Sequence, residues 1–226
     1  MISDIEFKNI IGLKWLPWIG DQFLTVPNDK RLLIVGESHY HDSTSQSIQK
    51  HNSPIFTREV IEELAIERCY YGTKIFPNFH RALFRNDEFD SSTFWNLVSF
   101  YNFIQRPIGT NNGRPSNKDF YNGWKVFLEI MNILKPKTCL FIGTTAANSL
   151  VNALKQTEYS TEGVKWDEWI CNASPKTAII KDKENNETHI IFIKHTSQFF
   201  NWEKWNDYLQ KKIPKELKWF EEKLTN

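Results

Sequence analysis

Long apolar runs are missing from this 226-residue chain, and with them the roughly 20-residue stretch that a membrane-spanning helix requires. The N-terminus carries no charged segment followed by an apolar signal core, so the sequence reads as a soluble, cytoplasmic protein. Cysteine is scarce as well. Cys69, Cys139 and Cys171 are isolated and odd in number, which argues against a disulfide framework or a paired-cysteine metal site. Nor is there an excess of one charge: 28 Lys and Arg stand against 27 Asp and Glu, so any basic groove for nucleic acid must be local. What the chain does have is aromatic side chains. Nine Trp and 17 Phe are enough to fill a core and leave some as stacking platforms for planar ligands.

The most informative stretch is residues 31–42, RLLIVGESHYHD. Leu32, Leu33, Ile34 and Val35 followed by Gly36 read as a buried parallel strand. Glu37, Ser38, His39, Tyr40, His41 and Asp42 then crowd acid, base and hydroxyl groups into what is expected to be a loop. In open α/β sheets, ligands bind outside the carboxyl ends of such strands.

The rest of the chain alternates strand and helix. Residues 1–30 are expected to form a short helix and an irregular lead-in, and residues 43–54 a polar loop. Thr57 would cap a crossover helix carrying Val60, Ile61, Leu64 and Ala65. Residues 70–79 read as a structured loop, with a short helix after it, and residues 92–103 as a second strand. Ser116 or Asn117 caps a helix whose Phe120, Trp124, Phe127, Leu128, Met131 and Leu134 form an apolar stripe ended by Pro136. Residues 138–143 (TCLFIG) are a further buried strand leading into a helix over 144–154. Residues 155–188 are an irregular insertion with one strand at 177–181 and a turn at 184–186. A last strand at 189–194 delivers His195 to a strand end, and amphipathic helices follow from Trp202 and Pro214. This order predicts a single α/β domain with a short, mainly parallel sheet between two helical layers.

Four pieces now stand in a recognisable order: GESHYH, NLVSFYN, PKTCLFIGTTAANSL and KHTSQFF. Together they resemble the uracil-DNA glycosylase superfamily, over about residues 31–209. Residues 36–41 look like a hybrid of the two known forms of motif one, G-x-D-P-Y-H and G-E-A-P-G. His195-Thr196-Ser197 looks like the second motif, H-P-S, with Thr for Pro. The resemblance implies a three-layer α/β/α sandwich of that family and hydrolysis of the N-glycosidic bond of a damaged or deaminated base in DNA. It implies Glu37 as the carboxylate near the sugar and His195 as the donor to the departing base. Tyr40, Phe76 and a strand-borne Asn96 would bind that base, and Ser38, Gly143, Thr144 and Ser197 would hold phosphates. The chemistry needs such groups, because positive charge develops on the sugar and negative charge on the base.

The departures from the family carry their own expectations. Ser38 and His39 stand where the best-known branch has Asp and Pro, and the four cysteines of the iron-sulfur branch are missing, so no cluster, cofactor or metal is expected. The partner would be DNA, single- or double-stranded, or a nucleotide, bound by a monomer that does not engage a membrane. Lys194, Lys204, Arg106 and Arg114 are candidates for a local basic face. Two other readings stay open: a catalytically silent nucleic-acid or nucleotide-binding module of the same fold, and a hydrolase holding Zn or Mn through His39, His41 and Asp42.

Overall fold

The computed structural model describes residues 2–41, 44–109 and 113–225, with the side chain of His41 excluded. Asp42, and the His41 side chain with it, therefore lie outside the described residues. Alternating burial explains the centre of the fold. In β2 (Leu32–His41), Leu32 and Ile34 point to one core and Leu33 and Val35 to the other, all four fully buried. The same alternation holds in β4 (Thr138–Ile142), with Cys139 and Phe141 opposite Leu140 and Ile142. It recurs in β8 (Glu187–Ile193), with Ile190 and Phe192 opposite Ile191 and Ile193. Burying each such side chain contributes about 1.5–3 kcal/mol, so this double-faced pattern fixes the strands between two helical layers.

β3 (Ser99–Gly109), β2, β4 and β8 form the parallel centre, in that spatial order. Short antiparallel strands complete the sheet: β1 (Trp18–Ile19) on β3, and β7 (Lys176–Lys181) on β8, with β5 (Ser160–Thr161) and β6 (Lys165–Trp166) on β7. The expectation of a mainly parallel central sheet with helical layers therefore holds at the level of α/β class. From β2 the chain passes to β3 by way of α1 (Ser45–Asn52), α2 (Phe56–Val60), α3 (Ile75–Phe84) and α4 (Ser91–Leu97). It returns across β2 to β4 through α5 (Asn117–Leu134), which packs on the opposite face. β2 is thus the strand at which the winding reverses, and a crevice opens at its carboxyl end. After β4 come α6 (Leu150–Leu154) and the insertion, and after β8 come α7 (Trp202–Lys212) and α8 (Pro214–Leu224).

Several local expectations are corrected. β2 does not break at Gly36; it stays paired to β3 as far as His41, with a register shift between Ser38 and Tyr40, because β3 supplies backbone partners along its length. Its pairing with β4 ends at Val35, so β2 and β3 overhang the sheet as a wall. The polar loop at 43–54 holds α1, capped by Thr44, whose hydroxyl accepts from the Ser47 N–H. Thr57 is not a cap but is buried within α2, which continues as a π-helical turn over Ile61–Ile66. α3 takes over the end of the expected loop at 70–79. The expected strand at 92–103 begins as α4, because Asp90 caps its first turn through the Thr93 N–H. Thr144 starts no regular helix; a 3-10 turn over Ala146–Ser149 intervenes before α6. α5 and its stripe are as expected, with Ser116 and Asp119 forming a capping box.

Candidate functional site

The overhang of β2 and β3 forms one wall of a cavity of about 600 Å³. Glu37, Ser38, His39 and Tyr40 come from β2, Phe100 and Asn102 from β3, Ile142 from the end of β4 and His195 from just beyond β8. α3 contributes Phe76, and the π-helical turn contributes Glu63 and Leu64. This size and mixture of apolar walls with a few polar groups is typical of small-molecule sites.

Of the residues singled out from the sequence, Glu37, Ser38, Tyr40, Phe76 and His195 are brought together here. Burial raises the Glu37 carboxyl above the usual glutamate range, while the Arg114 guanidinium and the Tyr40 hydroxyl pull it back down. Tyr40 Oη donates to Glu37 Oε2 at 3.5 Å from the cavity rim. Burial lowers the His195 imidazole below the usual histidine value and the charge of Arg114 acts the same way, so the ring is neutral at pH 7. Its Nδ1 is 3.0 Å from Ser197 Oγ. Phe76 is buried, edge-on to Trp95 with centroids 5.8 Å apart.

Four residues do not line the cavity, although two of them adjoin residues that do. Asn96 is not on a strand: it lies in α4, where its carbonyl accepts from the Gln22 N–H, at the amino-terminal end of β3 and away from the cavity. Thr144 does not line the cavity, and its carbonyl accepts from Lys176 Nζ at 3.1 Å. Gly143, at φ +147°, closes the turn after β4, where only glycine is at ease, and a side chain there would grow toward Glu37. The Ser197 hydroxyl is engaged by His195. Among the proposed cations, Arg106 is tied to Asp119, and Lys194 donates to Asn172 and to the Phe199 carbonyl. Arg114, by contrast, makes no ion pair among the described residues, although Glu37, Tyr40 and His195 all feel its charge.

Sequence reasoning missed a buried polar assembly in the cavity wall. His39 Nε2 lies 2.8 Å from Asn102 Nδ2 and 2.9 Å from Thr57 Oγ1. Burial holds this imidazole down to about 3, and its ring sits edge-on to Trp15 and tilted against Phe56. These contacts occupy its Nε2, and among the described residues no group of three or more His, Cys, Asp or Glu side chains is arranged to hold a metal ion; the expected partners, Asp42 and the His41 side chain, lie outside them. Asn78, on α3, donates from Nδ2 to the carbonyls of Thr196 and Ser197 and so pins the loop that carries His195. The signal for Asn102 was its place: a lone amide in the apolar run SFYNFI, two residues from Phe100 and so on the same face.

Fold and site together define an α/β protein with a ligand cavity at the carboxyl ends of its central strands, built around a half-buried carboxylate and a neutral imidazole. No protein-family model matches the chain, and no curated relative matches it.

Proposed function

We propose that the chain is a uracil-DNA glycosylase-like enzyme that hydrolyses the N-glycosidic bond of a damaged or deaminated base in DNA. The observation that carries this reading is that Glu37 and His195, from the ends of β2 and β8, border one cavity with Phe76, Phe100 and Asn102. A base turned out of its stack would lie against Phe76 and Phe100 with its polar edge on Asn102, which takes the role expected of Asn96. The bond from C1′ to the base nitrogen breaks and its electron pair leaves with the base. Water adds to C1′, and Glu37 accepts its proton. With the Ser197 hydroxyl donating to Nδ1, His195 keeps its proton on Nε2 and offers it to the base oxygen that gains charge.

Two further features support a nucleic-acid substrate. Arg114, which makes no ion pair among the described residues, offers a cation for a phosphate. Phe199, 85% exposed and held at φ +55° just after the His195 loop, has the form of an apolar wedge that fills the gap left by a turned-out base. That role does not fall to Trp205, which is fully buried, or to Trp202, which packs on the core.

The test is base release from labelled oligonucleotides containing uracil, hypoxanthine or xanthine, single- and double-stranded. Wild type is expected to release at least one base, and Glu37→Gln or His195→Ala to lower the rate by about 10²-fold to 10³-fold, the loss typical of one preorganised transition-state group. Salt-sensitive binding without release would identify a silent nucleic-acid-binding module instead.

A further inference from the structure

The cavity's base-reading edge is set by a residue almost wholly buried in its wall. Asn102 is only 4% exposed, yet its amide oxygen and one of its two amide hydrogens have no partner among the described residues. Its other hydrogen points at His39 Nε2, 2.8 Å away. His39 is 6% exposed and packed against both Trp15 and Phe56, with Thr57 Oγ1 at 2.9 Å on the same nitrogen. On the other side the Asn102 amide lies over Gly36, its cross-strand partner, and a Cβ there would strike Asn102 Oδ1. The oxygen therefore faces a Cα–H, a weak donor, where an amide N–H₂ would find nothing to bond. The Asn102 carbonyl also accepts from Gln105 Nε2 at 2.5 Å, and Gln105 Oε1 accepts from the backbone N–H of Trp15 at 2.9 Å, so the clamp closes on itself.

We infer that His39 is a positioning residue that locks the Asn102 side-chain amide in one orientation, so that the cavity accepts bases with a ring N–H beside a carbonyl and rejects bases with an amino group there. The inference rests on the reading of the cavity as a nucleobase site. An amide held this way shows an acceptor and a donor in fixed order, which pairs with the N3–H and O4 of uracil. Cytosine presents the reverse order, an acceptor at N3 and a donor at N4, and meets the amide like to like. For His39 to serve as acceptor its own proton must sit on Nδ1 and the ring must stay neutral. Its burial and the low value at which it titrates, about 3, ensure the second condition.

Two measurements test this. The first is long-range ¹H–¹⁵N NMR of the imidazoles at pH 7: His39 is expected as the neutral Nδ1–H tautomer, and a protonated Nε2 would overturn the inference without any ligand being present. The second is binding of free uracil and free cytosine, followed by tryptophan fluorescence, to wild type, His39→Leu, Thr57→Val and Asn102→Ala. Wild type should favour uracil by roughly tenfold to hundredfold, as a bidentate amide pair does. His39→Leu should bring the ratio to within about threefold, and Asn102→Ala should weaken uracil binding. Thr57→Val keeps the His39 to Asn102 contact and should retain the preference. An unchanged ratio in His39→Leu, or a preference for cytosine in wild type, sinks the positioning role and leaves the cavity reading standing. Failure of wild type to bind either base removes both.

Discussion

Glu37 illustrates at the scale of one residue how a site trades stability for chemistry. Its carboxyl titrates above the usual glutamate range because burial penalises the charged form. A group with a raised folded pKa stabilises the fold only when protonated, and that contribution is lost as pH rises through the folded value. At neutral pH the ionised side chain is therefore a burden on the fold, and Glu37→Gln, which keeps shape and removes charge, is expected to raise the melting temperature at pH 7.5. The gain should disappear by about pH 4, where the wild-type carboxyl is also neutral; an equal or lower melting temperature at pH 7.5 would contradict this account. Arg114 acts on the same group from outside. Removing its charge in Arg114→Gln relieves Glu37 and His195 of a nearby cation, so the pKa of each should rise. On the proposed mechanism, in which base release needs Glu37 ionised, its acid limb should move to higher pH. If Arg114 also meets a phosphate, the slope of log K against log salt for oligonucleotide binding should fall by about 1. A variant with unchanged acid limb and unchanged slope would show that Arg114 does not serve this site.

At the scale of elements, the loop after β8 owes its geometry to α3. Asn78 spans from that helix to the carbonyls of Thr196 and Ser197, at 2.8 and 3.1 Å, next to the fully buried Thr196. Replacing it by Ala leaves two acceptors facing a void, a cost of about 1–3 kcal/mol. More tellingly, Asn78→Ala frees His195 to wander, so kcat for base release should fall by about tenfold or more while oligonucleotide binding changes little. A loss of stability with kcat intact would make Asn78 a structural anchor only. Elements also show where the chain was legible. The apolar runs of β2, β4 and β8 and the stripe of α5 spell out their own periods, so the layered sheet could be read directly. α4 could not, because Phe94, Trp95 and Leu97 report burial, and buried aromatics serve helix and strand alike. α1 was hidden for the opposite reason: Ile48 is its one aliphatic side chain and is exposed. In the site, Glu37 and His195 stood at the ends of legible strands. Asn102, Asn78 and the His39 clamp did not, since their partners lie 63, 118 and 18 positions apart in sequence.

Across the whole molecule, buried imidazoles set the response to acid. His39 and His80 each titrate near 3 because burial disfavours the charged ring, and His195 is shifted in the same direction. His80 accepts from Trp95 Nε1 at 3.1 Å and lies edge-on to Phe89, in the core formed by α3, α4 and α8, far along the chain from the His39 clamp. A depressed folded value means that the neutral form is favoured in the fold. The contribution is complete above the unfolded value of 6.5 and is lost as pH falls from there toward 3. Each fully shifted histidine removes about 1.4 kcal/mol per pH unit in that window, or about 2 kcal/mol by pH 5. Carboxylates do not confuse this range: Asp119, held at about 2 by Arg106, loses its contribution only as pH falls below 3.8. Protonation of Glu37 works in the opposite direction and offsets a part. Against a total domain stability of about 5–15 kcal/mol, the two histidines together remove about 4 kcal/mol by pH 5, a substantial share. The urea midpoint should therefore drop steeply between pH 7 and pH 5. His39→Leu and His80→Phe, each less stable than wild type at pH 7, should each flatten that slope by about 1.4 kcal/mol per pH unit. A midpoint that holds constant from pH 7 to pH 5 would mean that protons reach these rings without opening the core.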